Sequence, residues 1–153
     1  MVALRKLAQL HWADNPPNQS RKLSMTAPLQ IDITLMFAAL FGILHVFFTL
    51  RVGGYRFRSG ISLGDGGDNE LRNRIRAHGN FIENVPIALL LLLLNDLNGL
   101  ADSTLIILGS VLLVSRVLHY LMIVTRSLPI VLRPVSMIGT LGVILVSSLL
   151  LVL

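Results

Sequence analysis

The chain has 153 residues, of which 54% are hydrophobic and only 14% are charged, and its mean hydropathy is +0.74. An ordinary soluble domain carries about 25% charged residues, so the composition excludes such a domain and predicts an integral membrane protein. Because there is no cysteine, the protein can form neither a disulfide nor a thiolate site. Six of its thirteen basic residues lie between positions 51 and 76, beside a hydrophobic segment, which indicates membrane topology and no nucleic-acid partner.

The first 28 residues differ in character from the remainder. Their apolar run is too short for a signal peptide, so we expect a mobile arm at residues 1–28 and a four-helix transmembrane domain at residues 29–153. One alternative is that Met25 is the true start and that the preceding residues belong to an over-extended reading frame. Another is an amphipathic surface helix over residues 2–12.

Four apolar segments are long enough to cross a hydrocarbon core about 30 Å thick, at about 1.5 Å per residue. The predicted spans cover residues 31–50, 70–95, 104–125 and 135–153. A glycine-rich loop is expected at residues 51–69, with Asp68 or Asn69 as the N-cap of the second helix. Pro86 predicts a kink in that helix. The fold class is therefore an all-α, integral membrane four-helix bundle.

The basic residues also predict an orientation. In a protein with four spans, the loops at residues 51–69 and 126–134 share one face, and both carry arginines, whereas the turn at 95–103 has no basic residue. Because positive charge is retained on the cytoplasmic side, both loops are expected in the cytoplasm. The basic residues of the N-terminal arm favour the opposite orientation.

A polar stripe marks the start of the second helix. At 100° per residue, Arg72, Arg76, Asn80 and Glu83 fall within about 80° of one another, and His78 lies off this stripe, toward a neighbouring helix or subunit. Arginines at a helix end commonly extend to solvent, and that interpretation is favoured for Arg72 and for Arg74. Asn80 and Glu83 precede an unbroken apolar run, so the carboxylate needs a partner.

The third segment carries Arg116 and His119 in its interior. Arg116 lies roughly 15 Å from the end of that helix, where an unpaired guanidinium costs at least a few kcal/mol. Two partners remain open at this point, Glu83 or the carboxylate of a bound ligand. His119 points the same way, and a core histidine bonded to a backbone carbonyl is the alternative to a ligand contact.

Arginines also mark the ends of other helices. Arg51 follows the first segment and Arg133 precedes the fourth, so a compact bundle would gather a cationic pocket suited to an anionic ligand. Asp65, Asp68 and Glu70 are a conceivable cation site, but a turn followed by a helix cap explains their spacing better. The sequence predicts no metal site and no Ser-His-Asp set.

The stretch "ELRNRIRAHGNFIENVPIALLLL" resembles the second-helix motif of the MAPEG superfamily, the membrane-associated proteins of eicosanoid and glutathione metabolism. The matching positions are Arg76, Ala77, Asn80 and Glu83, and "SRVLHY" resembles the third-helix motif. The likeness covers residues 29–153 and is closest to the uncharacterised bacterial branch. A location in a bacterial inner membrane is therefore expected.

This resemblance implies a homotrimer of four-helix subunits, with glutathione bound between them as cosubstrate and a lipophilic electrophile arriving through the bilayer. The residues implied in binding are Arg51, Arg76, His78, Asn80, Glu83, Arg116 and His119. Arg133 matches the arginine that activates the thiol, so the implied activity is that of a glutathione transferase or peroxidase.

Two positions depart from the family pattern. Asn84 and Ile123 stand where many relatives have tyrosine, and the loss of these hydroxyl groups argues against a full eicosanoid synthase. A non-catalytic glutathione- or lipid-binding scaffold therefore remains as the alternative to an enzyme. A small transporter is disfavoured because the middle of the second and fourth segments has no charged residue.

Overall fold

The computed structural model describes residues 31–125, 129 and 131–153, and within these residues the chain is helical and contains no strand. The four helices are α1 (Asp32–Ser59), α2 (Asn69–Leu97), α3 (Asp102–Thr125) and α4 (Leu132–Leu150). Each is long and apolar enough to cross a membrane. The predicted all-α architecture with four spans is thus confirmed, whereas the predicted arm at residues 1–28 lies outside the described residues.

Helix α1 is longer than the sequence suggested. The prediction that residues 51–69 form a loop is wrong for its first nine positions, because α1 continues to Ser59 and Arg51 lies inside the helix. Gly53 and Gly54 do not break the helix, because each costs only about 1 kcal/mol in a helix. The helix ends at Gly60, whose φ of 69° is left-handed and whose N–H bonds to the carbonyl of Arg56.

Helix α2 begins as predicted. Asp68 is its N-cap, and its carboxylate accepts hydrogen bonds from the N–H groups of Glu70 and Leu71 at 2.7 and 2.9 Å. Pro86 lies inside the helix, which continues two residues beyond the predicted end at Asn95. Asn95 and Asp96 are buried, whereas the final residue Leu97 is exposed, so only part of this last turn belongs to the core.

Helix α4 begins earlier than predicted. It starts at Leu132, so Arg133 lies in its first turn and not in the loop assigned to residues 126–134. Several positions of that loop lie outside the described residues. The cytoplasmic placement of this loop and of the loop after α1 stays a prediction.

The helices pack in an up-and-down order, with α3 against α4 and α2 between α1 and α3. Aromatic side chains from three helices meet in the core, where Phe48 contacts Phe81 edge to face and stacks on Tyr120. Large apolar side chains cover the outer faces; Ile43 and Leu50, for example, are 69% and 67% exposed. An apolar exterior around a packed interior is what a bilayer requires.

Candidate functional site

A buried guanidinium lies where α2, α3 and α4 meet. Arg116 is 2% exposed, and its Nη1 donates to Oδ1 of Asn80 at 2.9 Å and to the Asn80 carbonyl at 3.4 Å. Its Nη2 lies 4.0 Å from the sulfur of Met137. Its Nε has no hydrogen-bond partner. A buried cation is thus held by neutral groups.

An ion pair between Arg116 and Glu83, one of the two possibilities that the sequence left open, is absent from the described part of this single chain. The ion pairs there are Arg72 with Asp65 and Arg74 with Glu70. Glu83 is exposed instead. Asn80 and Glu83 occupy one stripe of α2, but the stripe straddles the boundary between core and surface. The amide therefore turns inward to Arg116, while the carboxylate turns outward.

His119 joins α3 to the start of α4. It is buried, and its Nδ1 lies 3.0 Å from Oγ of Ser136. The Ser136 hydroxyl donates its own proton to the carbonyl of Arg133 at 2.8 Å, so Nδ1 of His119 must be the donor to Oγ. The serine hydroxyl is therefore one partner of the ring, and a hydrogen bond with the backbone of Arg133 is a second, as the alternative of a core histidine bonded to a backbone carbonyl predicted. This chain of bonds ties His119 to the turn that carries Arg133.

His78 lies on a different side of α2, as its position off the stripe predicted. Its Nε2 is 3.1 Å from Oγ1 of Thr49, and its ring lies 5.3 Å from that of His45, centroid to centroid. Thr49 donates its proton to the carbonyl of His45. His78 therefore contacts α1, away from Arg116 and Asn80.

The remaining predicted site residues lie on the surface of the chain. Arg51, Arg76, Glu83 and Arg133 are all exposed. The structure thus brings Asn80 together with Arg116 and links His119 to the backbone of Arg133, but it does not unite the full set in one chain.

The acidic loop before α2 is a turn and a cap. Asp65 accepts from the Gly67 N–H and pairs with Arg72, and Asp68 accepts from the Tyr55 hydroxyl at 2.9 Å. Arg72 holds the pKa of the Asp65 carboxyl below its ordinary value, and the Leu71 N–H does the same for the pKa of Asp68. Among the described residues no three His, Asp or Glu side chains are grouped to hold a metal. Arg72 and Arg74 are therefore paired with nearby acids of the same chain, Asp65 and Glu70.

Sequence reasoning missed two partners, Ser136 and Met137, which complete the surroundings of His119 and Arg116. Both lie at adjacent positions in the first turns of α4. The predicted helix began at residue 135, and the sequence did not indicate which face of it packs against α3. The structure also shows the surroundings of the two residues that depart from the family pattern. Asn84 donates back to the Asn80 carbonyl at 2.9 Å, and Ile123 is buried.

A groove of about 370 Å³ lies between α1 and α2, and its lining residues all come from these two helices. It is apolar apart from His45 at one end. On α2 its wall includes Ile82, which lies about 160° around the helix from Asn80. Within one chain, the apolar groove and the buried guanidinium are therefore separated by the body of α2.

Comparison with known proteins agrees with these features. Residues 34–153 match the model of the MAPEG family. Over 88 residues the chain is 38% identical to "Inner membrane protein YecN" of Escherichia coli strain K12, which covers 58% of this chain and 67% of that protein. The same protein of the E. coli O6:H1 strain CFT073 matches equally. The resemblance drawn from the second and third helices is thereby confirmed, and the chain belongs to the MAPEG family as a multi-pass membrane protein.

Proposed function

We propose that this protein is a glutathione-dependent enzyme of the bacterial inner membrane, with transferase- or peroxidase-like activity on lipophilic electrophiles. It acts as a homotrimer that binds glutathione between subunits. The inner membrane is the location in the printed name of the E. coli relatives. The observation that carries this proposal is the buried Arg116, whose hydrogen-bond partners are all neutral.

A buried guanidinium favours a nearby anion. Arg116 is removed from water, and its hydrogen bonds to Asn80 supply dipoles but no opposite charge. An approaching carboxylate gains a charge-assisted interaction that is roughly twice as strong as a neutral hydrogen bond. Glutathione supplies two carboxylates, so it suits this cation.

Exposed charges one helical turn before and after Asn80, and at the start of α4, fit the rest of the tripeptide. Arg76 and Arg133 are exposed, and neither forms an ion pair within the described residues. Glutathione's second carboxylate suits the Arg76 guanidinium group, which leaves Arg133 for the thiol. Its ammonium group suits the exposed carboxylate of Glu83. The charges of the protein and of the ligand are therefore complementary in number and sign.

Arg133 is proposed to stabilise the thiolate. An unperturbed thiol with a pKa near 8.5 is only a few per cent ionised at pH 7, and a nearby guanidinium that lowers this pKa by about two units raises the thiolate fraction more than tenfold. The thiolate attacks the electrophilic carbon, a carbon–sulfur bond forms, and the leaving group departs with the bond's electron pair. The thiol proton passes to water.

The separation of the apolar groove from the cationic side chains around Arg116 supports a site shared between chains. A lipophilic substrate suits the apolar groove of α1 and α2, whereas the cationic cluster lies on the far side of α2. A second copy that places its α1 against the α2 and α4 of the first would bring the two together. The homotrimer supplies such a contact three times.

One observation favours the alternative, a non-catalytic glutathione- or lipid-binding scaffold. The hydroxyl groups that many relatives carry are replaced by Asn84, which bonds back to its own helix, and by the buried Ile123. Neither adds a proton donor to the cluster. Binding without turnover is the outcome that this alternative predicts.

Titration of glutathione into the purified protein tests the binding site. Arg76→Ala and Glu83→Gln are each expected to weaken binding about tenfold or more, since each removes a charged contact. Arg72→Ala is the matched control one turn away, because Arg72 pairs with Asp65 on the surface. Equal affinity in all four proteins would overturn the proposed site.

Turnover with glutathione and an aryl halide, or with a lipid hydroperoxide, separates the enzyme from the scaffold. Product should form above the detergent blank, and Arg133→Ala should lower the rate at least tenfold while changing glutathione affinity little. Tight binding with no rate on either substrate class would favour the scaffold.

A further inference from the structure

A second groove lies at the end of the bundle where α1 leaves the membrane. It has a volume of about 500 Å³ and separates the last turns of α1 from the start of α2. We call it the arginine groove, lined by Phe47, Leu50, Arg51, Gly54, Tyr55, Arg58 and Arg74. Its α1 residues lie on the opposite side of that helix from those of the apolar groove.

The lining changes from apolar to cationic along α1. Phe47 and Leu50 are 51% and 67% exposed, and Arg51 and Arg58 follow in the next turns. From Asp32 to Arg51 the helix rises by roughly 28 Å, which is close to the thickness of the hydrocarbon core. The apolar part of the groove therefore lies at the edge of the hydrocarbon, and its arginines lie at headgroup level.

The charges in the groove are not neutralised within the described residues. Arg58 is exposed and forms no ion pair or hydrogen bond there, while Arg51 lies 5.8 Å from the centre of the Phe47 ring. Arg74 pairs with Glu70 and lies over the ring of Tyr55. Two of the three guanidinium groups thus have no carboxylate partner.

A buried hydroxyl lies close to the same charges. Tyr120 is 3% exposed, stacks on Phe48, and its hydroxyl has no hydrogen-bond partner. Arg51 and Arg74 are near enough to act on it electrostatically. A buried donor without a partner beside two cations is an unusual arrangement for a purely structural surface.

We propose that the arginine groove binds an anionic phospholipid, with the phosphate on Arg51 and Arg58 and an acyl chain over Phe47 and Leu50. The occupant must be an amphiphile because the lining is apolar at one end and cationic at the other. An anionic headgroup, as in phosphatidylglycerol, matches the excess of positive charge. This inference goes beyond the proposed function and does not depend on it, although Arg51 also belongs to the predicted glutathione set.

Native mass spectrometry of the full chain in mild detergent tests this site. The protein is incubated with phosphatidylglycerol or with phosphatidylcholine, and lipid adducts are counted for the wild type, Arg58→Gln and Arg72→Gln. Arg58 is chosen because it lies outside the glutathione set, and Arg72→Gln removes an equal charge outside the groove. Wild type should retain phosphatidylglycerol in preference, and Arg58→Gln should weaken its binding about fivefold, while Arg72→Gln should not.

Further arms distinguish other occupants. Glycerol phosphate should compete poorly with the whole lipid, because it lacks the acyl chain. Equal retention of both lipids, an equal loss in the two variants, or full competition by glycerol phosphate would overturn the proposal. A change of oligomer mass in Arg58→Gln would assign the groove to a second copy of the chain and would also overturn it. Glutathione titration of Arg58→Gln should be unchanged, which keeps this test separate from the enzyme.

Discussion

The two ends of the bundle treat polar groups in opposite ways. At the end of α2, the Asp96 carboxylate accepts the Thr34 N–H at 3.1 Å, and the Asn95 amide donates to the carbonyls of Leu91 and Ser147. These side chains are buried and join α2 to α1 and α4. At the other end, Arg58, Arg76, Glu83 and Arg133 are exposed and form no ion pair within the described residues.

This contrast separates groups that hold the fold from groups available to a ligand. No side chain of its own caps the start of α1, and the carboxylate of Asp96 takes that role from another helix, where its charge also suits the dipole of α1. Buried and satisfied groups of this kind rigidify a bundle. Unpaired charges at the opposite end give the chain little stability and are open to partners.

The largest expected effect is on glutathione affinity, and it comes from replacement of Arg116. Arg116→Met removes a buried charge that has no ionic partner while keeping similar volume, so the loss of its hydrogen bonds to Asn80 is offset by the desolvation cost that disappears with the charge. Glutathione affinity should fall about 10- to 100-fold, because a charge-assisted contact is lost, while the thermal midpoint should stay the same or rise. Titration and thermal unfolding in detergent measure the two quantities. A lower midpoint with unchanged affinity would make Arg116 a structural residue.

The second-largest expected effect is on the free energy of unfolding alone. Gly109 of α3 faces Phe37 of α1 so closely that an added Cβ would overlap the ring, so Gly109→Ala should destabilise the bundle by about 1–3 kcal/mol. Gly142→Ala is the matched control, because nothing lies within 4 Å of its Cβ position. Denaturant or thermal unfolding in detergent compares them. Equal midpoints would show that α1 and α3 are not in close contact.

The smallest effect concerns pH at the loop before α2. Bonds from the Leu71 N–H and the Tyr55 hydroxyl hold the pKa of Asp68 below its ordinary value. Its contribution to stability is therefore present above the ordinary pKa, near 4, and is lost as pH falls through the lower folded value. Between pH 6 and pH 3 the thermal midpoint of wild type should fall more than that of Asp68→Asn. Parallel curves would contradict this linkage.

Much of the fold followed from local signals in the sequence. The start of α2 was predictable because Asp68 is a helix cap followed by an unbroken helical run. The end of α1 was not, because Gly53 and Gly54 have the composition of a loop, and their cost is offset by contacts such as those of Arg56 with the carbonyls of Ile61 and Gly64. Such contacts exist only once the chain is folded.

The site was predictable in its residues and less so in their pairing. The depth of Arg116 in an apolar helix was enough to predict that it faces the interior. Its partner was not determined, because Asn80 and Glu83 lie on the same stripe and a small rotation of α2 decides which one turns inward. The sequence places Asn95 and Asp96 in the turn at 95–103 because their partners, the Thr34 N–H of α1 and the Ser147 carbonyl of α4, are distant in sequence.

The unequal lengths of the helices have a consequence for the lipid environment. Helix α4 has 19 residues and spans about 28 Å, whereas α1 with 28 residues extends for about 42 Å. In a thicker bilayer α1 can still span the hydrocarbon core, because its final turns would then lie within that core. The short helix has no such reserve, so bilayer thickness acts on the bundle first through α4, the element that carries Arg133.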